Sequence, residues 1–174
     1  FDAGSNAGAF SLTAKSGAAA PIHPYTVQIY FVSPCSRPAN GATCAGSVDD
    51  NGFPRPALKR MELTGAGWVT STLVEGIDHF TVEYGIDNEA NDNDKDGAPN
   101  LFTTAPATTT DWANVVTIRM HILARNTRVS SGHKDEKIYN LGTVTVGPTN
   151  DNYRRHVYSE MVRLINVSGR REKG

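Results

Sequence analysis

The sequence predicts a mostly β chain with antiparallel pairing and long loops. Two segments alternate apolar and polar residues at period two, "IDHFTVEYGI" (77–86) and "NVVTIRMHILAR" (114–125). A third, "YTVQIYFV" (25–32), is aromatic and β-branched apart from Gln28. Between such runs lie stretches rich in turn formers, in keeping with 16 Gly and 9 Pro.

Taken in order, residues 1–21 are small, polar and aperiodic, and are expected to be loosely ordered. The run 25–32 is the first strand. Residues 33–56 form a loop rich in Pro, Gly, Asn and Asp. "ALKRMEL" (57–63) alternates as a strand. "GWVTSTLVEG" (67–76) is a turn entering a short or irregular strand. In 77–86, Ile77, Phe80, Val82, Tyr84 and Ile86 mostly share one parity, as a half-buried strand requires. A long loop, 87–111, follows. In 114–125, Val116, Ile118, Met120, Ile122 and Ala124 point one way, while Thr117, Arg119, His121 and Arg125 point the other. "KIYNLGTVTV" (137–146) reads as one more strand, and "GPTND" (147–151) as a turn. "YRRHVYSEMVRLIN" (153–166) has apolar spacing that fits a helix, but its β-branched content and the preceding turn favour a strand. Residues 167–174 are a basic tail, and the whole of 1–174 reads as one domain.

The charge balance, 17 basic against 18 acidic residues, gives no case for bulk attraction to nucleic acid or membrane. No apolar run approaches the length of a membrane span. The chain opens abruptly at "FDAGSNAGAF", as a loop does in mid-protein, so its native amino terminus is expected upstream.

The two cysteines, Cys35 and Cys44, flank a turn at Asn40-Gly41. A disulfide closing this small loop is the first reading, and it implies an oxidising compartment. Two unpaired thiols in a surface loop are the alternative. A metal held by two cysteines needs further ligands that no nearby His or Cys supplies.

"NDNDKDGAPN" (91–100) is the candidate metal site. With Asp92 at position 1 of a calcium loop, Asp94 and Asp96 fall at 3 and 5, and Gly97 at the sharp turn. Ala98 offers a backbone carbonyl and Asn100 a side-chain oxygen. Position 12 is Thr103, where an EF-hand has Glu, and no helix pattern flanks the loop, so this is not an EF-hand. A distant oxygen from Asp87 or Glu89 would complete a calcium site. The plain alternative is a solvated acidic turn.

Histidines 23, 79, 121, 133 and 156 are scattered, and each reads as an ordinary surface or edge residue. Arg154-Arg155 suits phosphate, but paired arginines on a strand are commonly just solvated. "NVS" (166–168) fits a glycosylation acceptor, a frequent chance match. "GRREKG" lacks the aromatic interleaving of a nucleic-acid site. No nucleophile, nucleotide or Walker motif occurs, and nothing points to an enzyme.

Three segments in order resemble a known family. "LVEGIDHFTVEYGIDNEANDNDKDGAPNLF", "DWANVVTIRMHILAR" and "YRRHVYSEMVRLIN" are similar to the central and terminal segments of PilW-type minor pilins of type IV pili, over roughly residues 57–167. The resemblance implies an α+β, pilin-like architecture: an antiparallel sheet packed on a long amino-terminal helix that is missing from this fragment. It implies a non-enzymatic subunit of the complex that primes pilus assembly and sits at the tip, supporting adhesion and twitching. Partners would be other minor pilins, the major pilin and a large tip adhesin. The subunit would sit in the inner membrane and periplasm, anchored through that helix alone, and then in the extracellular pilus of a Gram-negative bacterium. Calcium in the aspartate loop would be structural. The cysteine loop 33–56 stands outside the resemblance. The rivals are a minor pseudopilin of a type II secretion system and a secreted, calcium-stabilised β-module that binds protein or glycan.

Overall fold

The structure, a computed structural model, describes residues 26–41, 43–89 and 96–165. Its strands are β1 (Gln28–Ser33), β2 (Ala57–Thr64), β3 (Gly67–Glu75), β4 (Ile77–Ile86), β5 (Leu101–Thr103), β6 (Val115–Arg125), β7 (Tyr139–Leu141), β8 (Val144–Val146) and β9 (Arg155–Arg163). One short helix, α1 (Thr109–Ala113), precedes β6. All pairing among them is antiparallel, in sheets ordered β1-β2-β3, β5-β4-β6-β9 and β7-β8. The β-rich expectation holds, and the segment read as strand over 153–166 forms β9, Arg155–Arg163.

Three expectations need correction. Segment 67–76 is a full strand: the turn at Gly65-Ala66 sets Thr64 opposite Gly67, and the Val, Thr and Leu that follow suit a pleated edge. Segment 137–146 is two strands, because Gly142 adopts a positive φ of 72° and turns the chain back on itself. The loop 87–111 also holds β5 and the start of α1. Thr108 caps that helix, and its hydroxyl and the Asp111 carboxylate satisfy each other's backbone amides. The expected loose start 1–21 and the basic tail 167–174 lie outside the described residues, as do His23 and the "NVS" segment.

Gly76 joins the first two sheets. Its φ is +80°, and a Cβ there would sit 2.6 Å from the Arg125 carbonyl. The close approach lets Gly76 donate to Pro56 O and accept from Arg125 N, both at 2.7 Å. β3 therefore turns straight into β4.

Ile86, Leu123, Leu141 and Val116 are fully buried, but so are Glu83, Asp49, Asp87 and Asp135. A buried carboxylate is tolerated only when its oxygens are satisfied. Asp49 and Asp50 show how the cysteine loop meets that condition. Asp49 accepts from the amides of Ala39, Ala45 and Gly46, and Asp50 from those of Ser36, Arg37 and Arg55. The Ala39 amide, ahead of its other partners, holds the Asp49 carboxyl below its ordinary value. Burial works against ionisation of Asp50, but its three amides outweigh burial and keep its carboxyl low too. The Cys35–Cys44 disulfide closes the same loop, with its Cα atoms 5.7 Å apart.

Candidate functional site

Three places carry the polar chemistry of the described chain. In the aspartate loop, Asp92 and Asp94 lie outside the described residues. Asp96 accepts from the Ala98 amide at 2.8 Å, and both are exposed. Asp87, at the end of β4, is buried and accepts from the Gly97 amide at 2.9 Å. Asn100 donates to Glu89 at 2.7 Å and accepts from the Asn88 amide. The loop's two ends are thus tied by the residues expected to be cation ligands, Asp87, Glu89, Asp96 and Asn100. Among the described residues, no three carboxylate, His or Cys side chains of this loop come close enough to hold an ion. Among the described residues only Cys35, Cys44 and Asp49 cluster tightly enough, and the disulfide removes both thiolates from metal chemistry.

The second place is the inner face of β4, β6 and β9. Glu83 is 1% exposed and accepts from the Thr143 amide at 2.7 Å. Arg119 approaches it at 3.4 Å and His121 at 3.3 Å, while the other ring nitrogen of His121 lies 2.7 Å from Ser159 Oγ. Burial opposes ionisation of Glu83, yet the Thr143 amide and His121 together keep its carboxyl below the ordinary range. A Cβ on Gly142 would run into this carboxylate, so the β7–β8 turn must be glycine there. His121 is therefore buried and hydrogen-bonded, not the surface residue expected, whereas His79 and His156 are exposed.

The third place is Arg155. Its side chain is only 3% exposed and donates to Asp78 at 2.6 Å, Asp135 at 2.8 Å and both oxygens of Asp151 at 2.6 Å. It ties β4, the loop before β7 and the turn before β9 into one body. The expectation that both paired arginines are solvated fails for one of them: Arg154 is exposed, but Arg155 is the most connected side chain described. Ser159, His121 and Glu83 stand in hydrogen-bond series across the sheet, while the Glu83 and Arg155 clusters join β4 to the β7–β8 turn and to the loops before β7 and β9.

With the polar face of β6 locked inward, its apolar face turns out. The register stacks three rows across the sheet: Phe80, Ile122 and Tyr158; Val82, Met120 and Glu160; Tyr84, Ile118 and Val162. On β4 and β6 these side chains are only half-buried, while Tyr158 and Val162 are 59% and 44% exposed. Trp112 packs edge-on against Tyr84 at 4.8 Å and borders the face. The alternation seen in the sequence is real, but the apolar side is the open one. The bulge at the end of β4 sets Ile86 opposite Val115 and so carries it away from this face into burial.

A single sheet built this way occurs in a chain that matches the family Type IV Pilus-assembly protein W over residues 40–166, more than half its length. The chain belongs to the PilW family. No curated protein and no solved structure matches it. The PilW match extends past the resemblance seen in the sequence, into the second half of the cysteine loop from residue 40. Membership makes the protein a component of type IV pilus assembly. Sequence reasoning missed two buried locks of this PilW chain, at Glu83 and at Arg155. The signal available was the density of Asp and Glu within or beside strands, as at Glu83, where alternation should have placed an apolar or exposed residue.

Proposed function

We propose that this PilW-family chain is a non-enzymatic minor pilin, a structural subunit that primes pilus assembly and sits at the pilus tip. The observation that carries the reading is the open apolar face of β4, β6 and β9. Eight apolar or aromatic side chains in three register-aligned rows form a surface wide enough to seat one helix, at the usual spacing of about 10 Å between packed layers. An upstream prepilin helix, laid along β6, is the occupant proposed. It would restore the α+β pilin architecture, anchor the subunit in the inner membrane before assembly, and pack in the pilus afterwards. Adhesion and twitching would follow from pilus assembly, through contacts with other minor pilins, the major pilin and a tip adhesin. The disulfide is in keeping with a periplasmic and extracellular life.

The test is Met120→Asp in the full-length precursor, in the native bacterium. The isolated 174-residue chain should stay folded with a modest loss of Tm, since Met120 is half-buried and sits opposite Glu160. Surface pili should be lost. Normal piliation with this substitution would sink the proposed helix seat.

A further inference from the structure

We propose that β3 is an edge built to pair antiparallel with the β3 of a second copy of this chain. Three observations carry it, none of which depends on the pilus reading.

The first is that this edge is open. Among the described residues β3 pairs only with β2, whereas the opposite edge strand of that sheet, β1, lies against β4. Trp68, Val69, Leu73 and Val74 are 45–52% exposed. The second is that the edge is undefended. Folded proteins blunt a bare edge with charge, proline or brevity. β9 carries Arg155, Glu160 and Arg163, and β5 is only three residues long. β3 runs nine residues and has no charge or proline before Glu75; its one bulge falls at Leu73, the last residue of the segment that would pair.

The third is symmetry. Residues 69–73 read Val-Thr-Ser-Thr-Leu, a palindrome by chemical class. Antiparallel pairing about Ser71 sets Ser71 opposite its own copy, Thr70 opposite Thr72, and Val69 opposite Leu73, so like faces like. The hydrogen-bond phase agrees. Thr64 opposite Gly67 closes the hairpin, and Leu63 donates outward to Val27. The alternation of antiparallel ladders then turns the backbone groups of Thr70 and Thr72 outward and leaves Ser71 bonded to β2. In the symmetric pair Thr70 and Thr72 exchange both of their backbone bonds. Ser71 meets its copy at a non-bonded position, with Cα atoms about 4.5 Å apart. The result is a continuous six-stranded sheet across two chains.

Cysteine trapping tests the register. Ser71→Cys and Thr70→Cys are made separately in the 174-residue chain and oxidised mildly at high protein concentration. Ser71→Cys places two thiols within disulfide range. Thr70→Cys places its copies about 8–9 Å apart at the Cα atoms, beyond that range. The expected result is that most of the Ser71→Cys chain runs as a non-reduced dimer and Thr70→Cys runs as monomer. Adding Val69→Lys, on the exposed strand, should abolish the Ser71→Cys dimer while leaving the circular dichroism unchanged. A Ser71→Cys chain that dimerises no more than Thr70→Cys, or that dimerises as readily once Val69→Lys is added, overturns the proposal.

Discussion

Replacing Arg155 by Ala should be among the most damaging single substitutions in the chain. The guanidinium contacts Asp78, Asp135 and Asp151, and Asp135 is fully buried. Removing the cation leaves a buried carboxylate held only by the Tyr139 hydroxyl, Thr149 and the Lys137 amide. Breaking a buried pair from one side typically costs about 3–5 kcal/mol. For a domain of this size that lowers Tm by about 10 °C. The loss should depend on pH. Asp151 is pulled down to about 2, chiefly by Arg155. In Asp135, burial pushes the carboxyl up, but Arg155 and Tyr139 outweigh it and hold it low. Carboxylates depressed in the folded state contribute stability that is present above their unfolded value near 4 and lost as pH falls towards the folded value. The gap between wild type and Arg155→Ala should therefore be full at neutral pH and narrow from about pH 4 down to about pH 2. Asp151 is about a third exposed, so most of the gap belongs to Asp135. Thermal melts across pH, with Arg154→Ala as control, measure it. Equal melting of the two variants at neutral pH would refute the assignment of Arg155 as a lock.

Three further outcomes are expected. Reducing Cys35–Cys44 opens a loop of nine-residue separation and should cost about 2–3 kcal/mol, read as a lower Tm in dithiothreitol; no shift would mean the Asp49 and Asp50 hydrogen bonds alone hold the loop. Burial, and then Asp135, push the Tyr139 hydroxyl up to about 12, so its contribution is intact below the unfolded value near 10 and is lost between about pH 10 and 12. Tyr139→Phe should flatten that alkaline loss; an unchanged alkaline melt would contradict the pairing. Millimolar calcium should raise Tm, and Asp94→Ala should abolish the rise; identical melts with and without chelator would leave the aspartate loop an ordinary turn.

The sheet was legible because alternation survives wherever one face is shielded, and β4 and β6 begin and end within a residue or so of their predicted bounds. Which face points inward was not. Period two marks two faces but does not say which is covered, and here the β7–β8 ribbon covers the polar one. β7 and β8 were read as one strand because Gly142 carries the turn alone, without a second turn former. Arg155 and His121 look like surface residues in sequence, since Asp78 and Asp135, and Glu83 and Ser159, lie far from them along the chain. The cysteine pairing could be read from spacing, but the role of Asp49 and Asp50 could not, because six backbone amides leave no trace in side-chain pattern.

The amino-terminal sequence of the intact precursor, read upstream of Phe1, tests the proposed subunit most directly. A short basic leader ending in Gly, followed by Phe and about twenty apolar residues with an acidic residue early in the run, is the expected result, and it supplies the helix that the open face of β4, β6 and β9 would seat. A cleavable signal peptide running straight into the first residues of this chain would contradict the pilin reading and leave the apolar face to some other partner.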